Sequence, residues 1–203
     1  MIIEGPLINA TFIERPNRFI TIIEINGELH RSHLPDPGRL KELLTPNAKL
    51  LVRPAPEASD RKTSFSTVMV EHKGQLISLV STLPNKFIDH ALKNNKIPIL
   101  RPYTFIRSEI TVKNHRFDFL LNDNKANKFY LEVKSVTLVE NGIAKFPDAI
   151  TRRGMNHAKA LMNLVSKGFQ AGILFVCQRP DATSFCPMWD RDPKFAMALN
   201  NAY

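Results

Sequence analysis

The sequence predicts an α+β protein in two parts: a small β-barrel over residues 1–82, then a mixed-sheet domain of order αβββαβ over residues 83–203. Three observations predict it. Short alternating or apolar stretches bounded by turn residues fill the first part. At Leu83-Pro84-Asn85 that rhythm breaks, and strand-like stretches begin to alternate with helical ones. The longest helical period, from about Asp148 to Lys167, lies between two such strands.

In the first part, Leu7–Arg15, Arg18–Ile25 and Glu28–Leu34 read as strands, parted by Pro16-Asn17 and Asn26-Gly27. Asn-Gly is the preferred two-residue hairpin turn, because both its positions need positive φ. Pro37–Leu44 predicts a short helix stopped by Thr45-Pro46, and Gly38 points to a specific turn leading into it. Ala48–Arg53, Ser64–His72 and Gln75–Ser81 supply further strands, the last two joined at Lys73-Gly74. Five or six short strands interrupted by one helix predict a barrel of the OB type. In the second part, Phe87–Lys93 forms a short amphipathic helix, followed by strands at Thr104–Lys113, Arg116–Asn122 and Phe129–Val139. The helix from about Asp148 to Lys167 ends on Gly168 as a left-handed cap, and the strand Ala171–Gln178 follows. Asp192-Pro193 opens a last helix, with aspartate capping and proline in the first helical position.

Composition narrows the function classes. With 203 residues, 43% of them hydrophobic, the chain can bury one large core or two modest ones, which excludes a disordered protein. Cys177 and Cys186 make neither a disulfide framework nor a metal motif; Cys177 sits in an apolar run as a small hydrophobe. The N-terminus lacks a charged segment followed by an apolar one, and no apolar run is long enough to span a bilayer. A soluble cytoplasmic protein with no membrane partner is expected. The formal net charge of +9 is unevenly spread: residues 1–82 hold 10 Lys/Arg against 9 Asp/Glu, and residues 83–203 hold 18 against 10. A polyanion, nucleic acid first, is therefore expected mainly on the second part. A homodimer is left open.

The chemistry concentrates in one hairpin. The polar stretch 122–128 turns the chain about Lys125, so pairing sets Asp118 opposite Glu132 and Arg116 opposite Lys134. Cross-strand neighbours stand about 5 Å apart at Cβ. Two facing carboxylates repel, and a divalent cation between them would resolve the conflict. Glu132 and Lys134 share a face with Val136 and Leu138, while Leu131 and Val133 point the other way, as in a covered central strand. Oxygen ligands from Asp118 and Glu132 suit Mg²⁺ or Mn²⁺. Such an ion polarises a phosphate and acidifies a bound water, while Lys134 positions that water or stabilises developing charge. Asp118, Glu132 and Lys134 are thus the candidate catalytic trio, against the alternative of a surface ion pair. Asp89 or Glu109 is the candidate third acidic ligand.

On the following helix, Arg152, Asn156, Lys159 and Asn163 recur at helical spacing as one basic and polar stripe, which is either a nucleic-acid face or an ordinary solvated one. Arg152 and Arg153 occupy a first turn that already favours anions. His157 is either a satisfied core histidine or a neighbour of the active site, the latter favoured because the helix packs beside the hairpin. Arg15, Arg18, Arg31 and Arg39 could meet a phosphate backbone, but their near-neutral surroundings favour structural roles.

These stretches together resemble the sugar fermentation stimulation protein A family across essentially the whole chain. The most specific are Leu83-Pro84-Asn85, Arg116 to Leu121, Glu132 to Val139, Phe146 to Ala149 running into Arg153 to His157, and Leu174 to Arg179. The resemblance implies an N-terminal OB-type domain and a C-terminal PD-(D/E)XK nuclease-like domain that binds DNA, with a role in regulating sugar-metabolism genes. It matches Asp118, Glu132 and Lys134 to the family's nuclease-like signature and Arg153 and His157 to its following helix. Members usually continue past the final helix, where this sequence stops at Tyr203. The residues and the resemblance leave two functional expectations. One is a Mg²⁺- or Mn²⁺-dependent nuclease; the other is a non-catalytic DNA-binding regulator on a nuclease-like fold.

Overall fold

The computed structural model describes residues 2–56 and 61–202. Six strands come first: β1 (Ile8–Asn17), β2 (Ile20–Ile25), β3 (Glu28–His33), β4 (Lys49–Pro54), β5 (Phe65–His72) and β6 (Gln75–Ser78). They lie in the order β3-β2-β1-β4-β5-β6, and a further parallel pairing of β3 with β5 closes the first five into an OB-type barrel. The turn from β2 to β3 is tight because Asn26 and Gly27 both adopt positive φ, at 53° and 84°. Inside lie Phe12, Ile23, Leu34, Leu50, Val52, Val70 and Ile77. Where the barrel closes, the buried hydroxyls of Thr21 and Ser32 both bond to Thr67, at 2.9 and 2.8 Å, so no polar group is stranded there.

The helix expected over Pro37–Leu44 is absent. Leu40 takes φ +52°, which breaks helical continuity, and only a single turn from Leu40 to Leu44 remains. Distant contacts impose this shape. Asp148 Oδ2 accepts a 2.7 Å hydrogen bond from the Leu40 amide, and the Leu40 side chain is fully buried in the barrel core. A Cβ on Gly38 would come within 2.9 Å of Asp36 Oδ1 and 3.1 Å of Asp148 Oδ2, so glycine is needed for that close approach. The same contacts fasten the barrel to the second part of the chain, together with Glu42, which faces Arg179 at 3.9 Å.

The second part runs α1 (Leu83–Lys93), β7 (Thr104–Val112), β8 (His115–Asn122), β9 (Lys128–Val136), β10 (Val139–Glu140), β11 (Ile143–Phe146), α2 (Arg152–Val165), β12 (Gln170–Cys177), β13 (Ser184–Pro187) and α3 (Pro193–Asn200). Its main sheet has the order β12-β9-β8-β7, with β7, β8 and β9 antiparallel and β12 parallel to β9. This is the restriction-endonuclease-like αβββαβ arrangement. The small sheet β10-β11-β13 is an addition the sequence pattern did not announce. Helix α1 packs Ile88 and Leu92 on Phe119, Leu121, Leu131 and Val133, while α2 packs Leu161 and Leu164 on Phe117, Leu120 and Tyr130. β9 is thus a central strand covered on both faces. Gly168, at φ +85°, caps α2 as expected, and Asp192 caps α3 by accepting from the Phe195 amide at 3.0 Å.

Candidate metal and nucleic-acid site

The β8–β9 hairpin has the register read from the sequence. Asn122 pairs with Lys128, Leu121 with Phe129, Leu120 with Tyr130 and Phe119 with Leu131. The ladder ends there. The next pair in the same register would be Asp118 and Glu132, and at this point the two strands part. The Val133 amide finds its acceptor in the carboxylate of Asp118, at 2.7 Å from Oδ2. The other oxygen of Asp118 accepts from Asn85 Nδ2 on α1 at 2.6 Å. Both oxygens are therefore held in place, one by the sheet and one by a helix.

Glu132 is buried, with a side chain only 4% exposed. Its Oε1 meets Lys134 Nζ at 2.5 Å and His157 Nδ1 on α2 at 2.6 Å. Its Oε2 is buried and has no hydrogen-bond partner among the described residues. Burial, and then the charge of Glu132, push the Asp118 carboxyl above its ordinary range, against the bonds from Val133 and Asn85 and the charge of Lys134. Burial acts in the same direction on Glu132, but the bond from His157 and the charge and bond of Lys134 outweigh it and hold this carboxyl below its ordinary range. Glu132 stays ionised because two basic side chains face it.

The strand on the other side of Asp118 is distorted. Glu109 of β7 lies between the pairs Ser108–Phe119 and Ile110–Phe117, which puts it opposite Asp118, and its φ is +54°. A non-glycine residue in the left-handed region inside a strand is strained, and such strain gathers at functional sites. The Glu109 side chain itself turns to Arg116 at 3.8 Å and is largely exposed. Asp89, the other candidate third acid, is bonded to Lys93 and Ser108, each at 2.6 Å. Among the described residues, no group of three or more His, Cys, Asp or Glu is arranged to hold a metal.

The basic residues divide in two. Arg152, Arg153, Asn156 and Lys159 lie on α2, whose start is secured by Thr151 accepting from the Gly154 amide and by Asp192 accepting from the Thr151 amide at 2.8 Å; all four are exposed. Arg18 and Arg39 are also exposed, and Arg18 lies over the Phe19 ring. Arg15 instead spends its guanidinium on the carbonyls of Arg39, Arg18 and Asp36, so it shapes the loop before Leu40. Sequence reasoning missed Asn85 as a site residue, treating it as a domain boundary. Its sequence signals are its place just ahead of the predicted helix and in the Leu83-Pro84-Asn85 stretch of the family resemblance, and neither marks it as a partner of Asp118.

Comparison with known proteins agrees with this architecture. Residues 13–79 match the family model described as the SfsA N-terminal OB domain, and residues 82–203 match the sugar fermentation stimulation protein RE domain. A sugar fermentation stimulation protein homolog of Clostridium botulinum is 44% identical over 100% of this chain and 87% of its own length. A homolog of the same description from Moorella thermoacetica is 42% identical, over 97% of this chain and 84% of its own. Among solved structures, SfsA of Pyrococcus furiosus, determined in complex with Ca²⁺, superposes with a TM-score of 0.86 at 29% identity, covering 98% of this chain and 84% of that one. No helix among the described residues is long and apolar enough to cross a membrane. The chain belongs to the sugar fermentation stimulation protein family.

Proposed function

We propose that this chain binds DNA and cleaves phosphodiester bonds at a divalent-cation site made by Asp118 and Glu132, acting as a soluble cytoplasmic protein. The observation that carries the reading is the buried, unpartnered Oε2 of Glu132. Buried carboxylate oxygens normally find donors. This one is kept ionised beside a second carboxylate, an arrangement that a hard cation with oxygen ligands completes. Asp118 and Glu132 would hold Mg²⁺ or Mn²⁺, which when bound supplies Lewis-acid polarisation of a phosphate and a more acidic water. The Ca²⁺ complex of the Pyrococcus furiosus relative supports the same ligand class.

The chain's own residues supply the rest. Asn85 and the Val133 amide hold the Asp118 carboxylate in one orientation. His157 and Lys134 keep Glu132 charged, and the ammonium of Lys134 stabilises negative charge developing on a phosphate beside it. Arg152, Arg153, Asn156 and Lys159 engage the DNA backbone, with Arg18 and Arg39 contributing from the barrel. The second reading, a non-catalytic DNA-binding regulator of sugar-metabolism genes, is favoured by the lack of a third ligand among the described residues.

The test is incubation with single- and double-stranded DNA and RNA, with and without Mn²⁺, using Glu132→Gln and Lys134→Ala as controls. Mn²⁺-dependent cleavage that both substitutions abolish establishes the enzyme. Binding without cleavage in the unsubstituted protein establishes the regulator.

A further inference from the structure

Beside the candidate site, between α2 and the β7–β8 hairpin, lies a cleft of about 380 Å³. Three lysines line it: Lys113 at the hairpin turn, Lys159 on α2 and Lys167 just beyond the helix. Among the described residues, no acidic one does. None of the three forms an ion pair with a carboxylate among the described residues. Asn156 and Asn163 lie on the same helical face, so donors recur along about 16 Å from Asn156 to Lys167.

The floor is apolar. Phe117 and Leu164 are buried beneath it, with His115 half-buried among the lining residues. The His115 ring stacks on Phe117, with centroids 6.3 Å apart and planes inclined by 24°, and stands 5.9 Å from the ring of His157. His157 in turn holds Glu132. The wall of the cleft is therefore linked to the candidate metal site through His157. A continuous duplex needs only the lysines, since its bases are stacked and paired out of reach. An apolar floor with an aromatic ring beside cations is what an unpaired base with its phosphates requires.

We propose that this cleft takes one unpaired nucleotide of the strand entering the site, with its base against His115 and the apolar floor and its phosphates among Lys113, Lys159 and Lys167. The substrate class is then single-stranded or frayed nucleic acid rather than continuous duplex. The inference rests on the proposed nucleic-acid function, and its test separates the two.

Fluorescence anisotropy of the full chain with Ca²⁺ present compares a labelled oligodeoxyadenylate, an oligoriboadenylate of equal length and a blunt hairpin duplex. At least one single strand binds more tightly than the duplex, and the comparison between them reports the preferred sugar. His115→Ala weakens single-strand binding by about 5- to 150-fold, the span of one lost base stack, and His115→Phe retains it. Duplex binding is unchanged in both variants. The double substitution Lys113→Ala, Lys167→Ala lowers the single-strand salt slope by about 1.4. Equal single-strand and duplex affinity, or full single-strand affinity in His115→Ala, overturns the cleft while leaving nucleic-acid binding intact. Failure of all three probes to bind at low salt overturns both. Should His115→Ala not fold, the lysine pair, both exposed, decides by the salt slope alone.

Discussion

Replacing Asp118 by asparagine is expected to stabilise the metal-free protein and to abolish its stabilisation by metal. In the folded chain Asp118 is disfavoured as an anion by burial and by Glu132. Two carboxylates repel by about 3 kcal/mol at about 5 Å and an effective dielectric near 20, an upper value where the two strands part. Against this, the bonds from Val133 and Asn85 weaken when their acceptor becomes neutral, by about 1 kcal/mol each. Both remain possible, because the Asn85 amide can turn to present its oxygen to the new side-chain amide. The balance is a gain of about 1 kcal/mol, or roughly 2–4 °C in Tm for a chain of this size. Metal acts in the opposite sense. At 100 times its Kd, Mn²⁺ stabilises the unsubstituted protein by about 2.7 kcal/mol, or roughly 5–11 °C, and does nothing for the variant. Thermal unfolding followed by circular dichroism, in chelator and in Mn²⁺, should therefore show the order of melting temperatures reverse. An Asp118→Asn variant that melts below the unsubstituted protein in chelator, or that keeps its Mn²⁺ shift, refutes the reasoning.

Other perturbations probe the supports of the site. Asp192→Ala removes the α3 cap and strands the Thr151 amide, a loss of about 2–4 kcal/mol that lowers Tm by roughly 5–15 °C in a calorimetric scan. At Glu109, where φ is positive, Glu109→Gly should be tolerated within about 1 kcal/mol, whereas Glu109→Val costs about 1–2 kcal/mol more in urea unfolding. Alanine at both Arg152 and Lys159 should flatten the duplex-binding salt slope by about 1.8, read by anisotropy across a salt series. The Asp181 carboxyl is held low first by its hydrogen bond to Arg179, so this pair stabilises the fold above the ordinary carboxylate pKa and ceases to as pH falls through and below it. The Tm difference between the unsubstituted protein and Asp181→Asn should accordingly shrink as pH drops below about 4.

The barrel and the αβββαβ order are legible in the sequence because they rest on local signals: two-residue periodicity, Asn26-Gly27, the Asp192 cap and the helical period of α2. The hairpin register is legible for the same reason, since a symmetric polar turn about Lys125 fixes the four pairs from Asn122–Lys128 to Phe119–Leu131, though the expected pairs Asp118–Glu132 and Arg116–Lys134 beyond them do not form. The segment Pro37–Leu44 is different. It has helical composition, but its shape is set by Asp148, 108 residues away, which holds the Leu40 amide. Strands β10, β11 and β13 are too short, at two to four residues, to show a period. Within the site, the residue types of Asp118, Glu132 and Lys134 could be read, but the parting of β8 and β9, the bond from Asn85 and the lone oxygen of Glu132 could not. They depend on where three separate elements meet. His157 lay between the two cases: its helical face was visible, and its contact with Glu132 was not.

The most direct measurement is an anomalous difference map from a crystal of this chain grown with Mn²⁺. A divalent-cation site made by Asp118 and Glu132 predicts one strong peak in contact with both carboxylates, at about 2.0–2.2 Å from Glu132 Oε2, and its disappearance in Glu132→Gln. A map with no peak between these two side chains, or with Mn²⁺ bound elsewhere and Glu132 Oε2 still without a partner, contradicts the account.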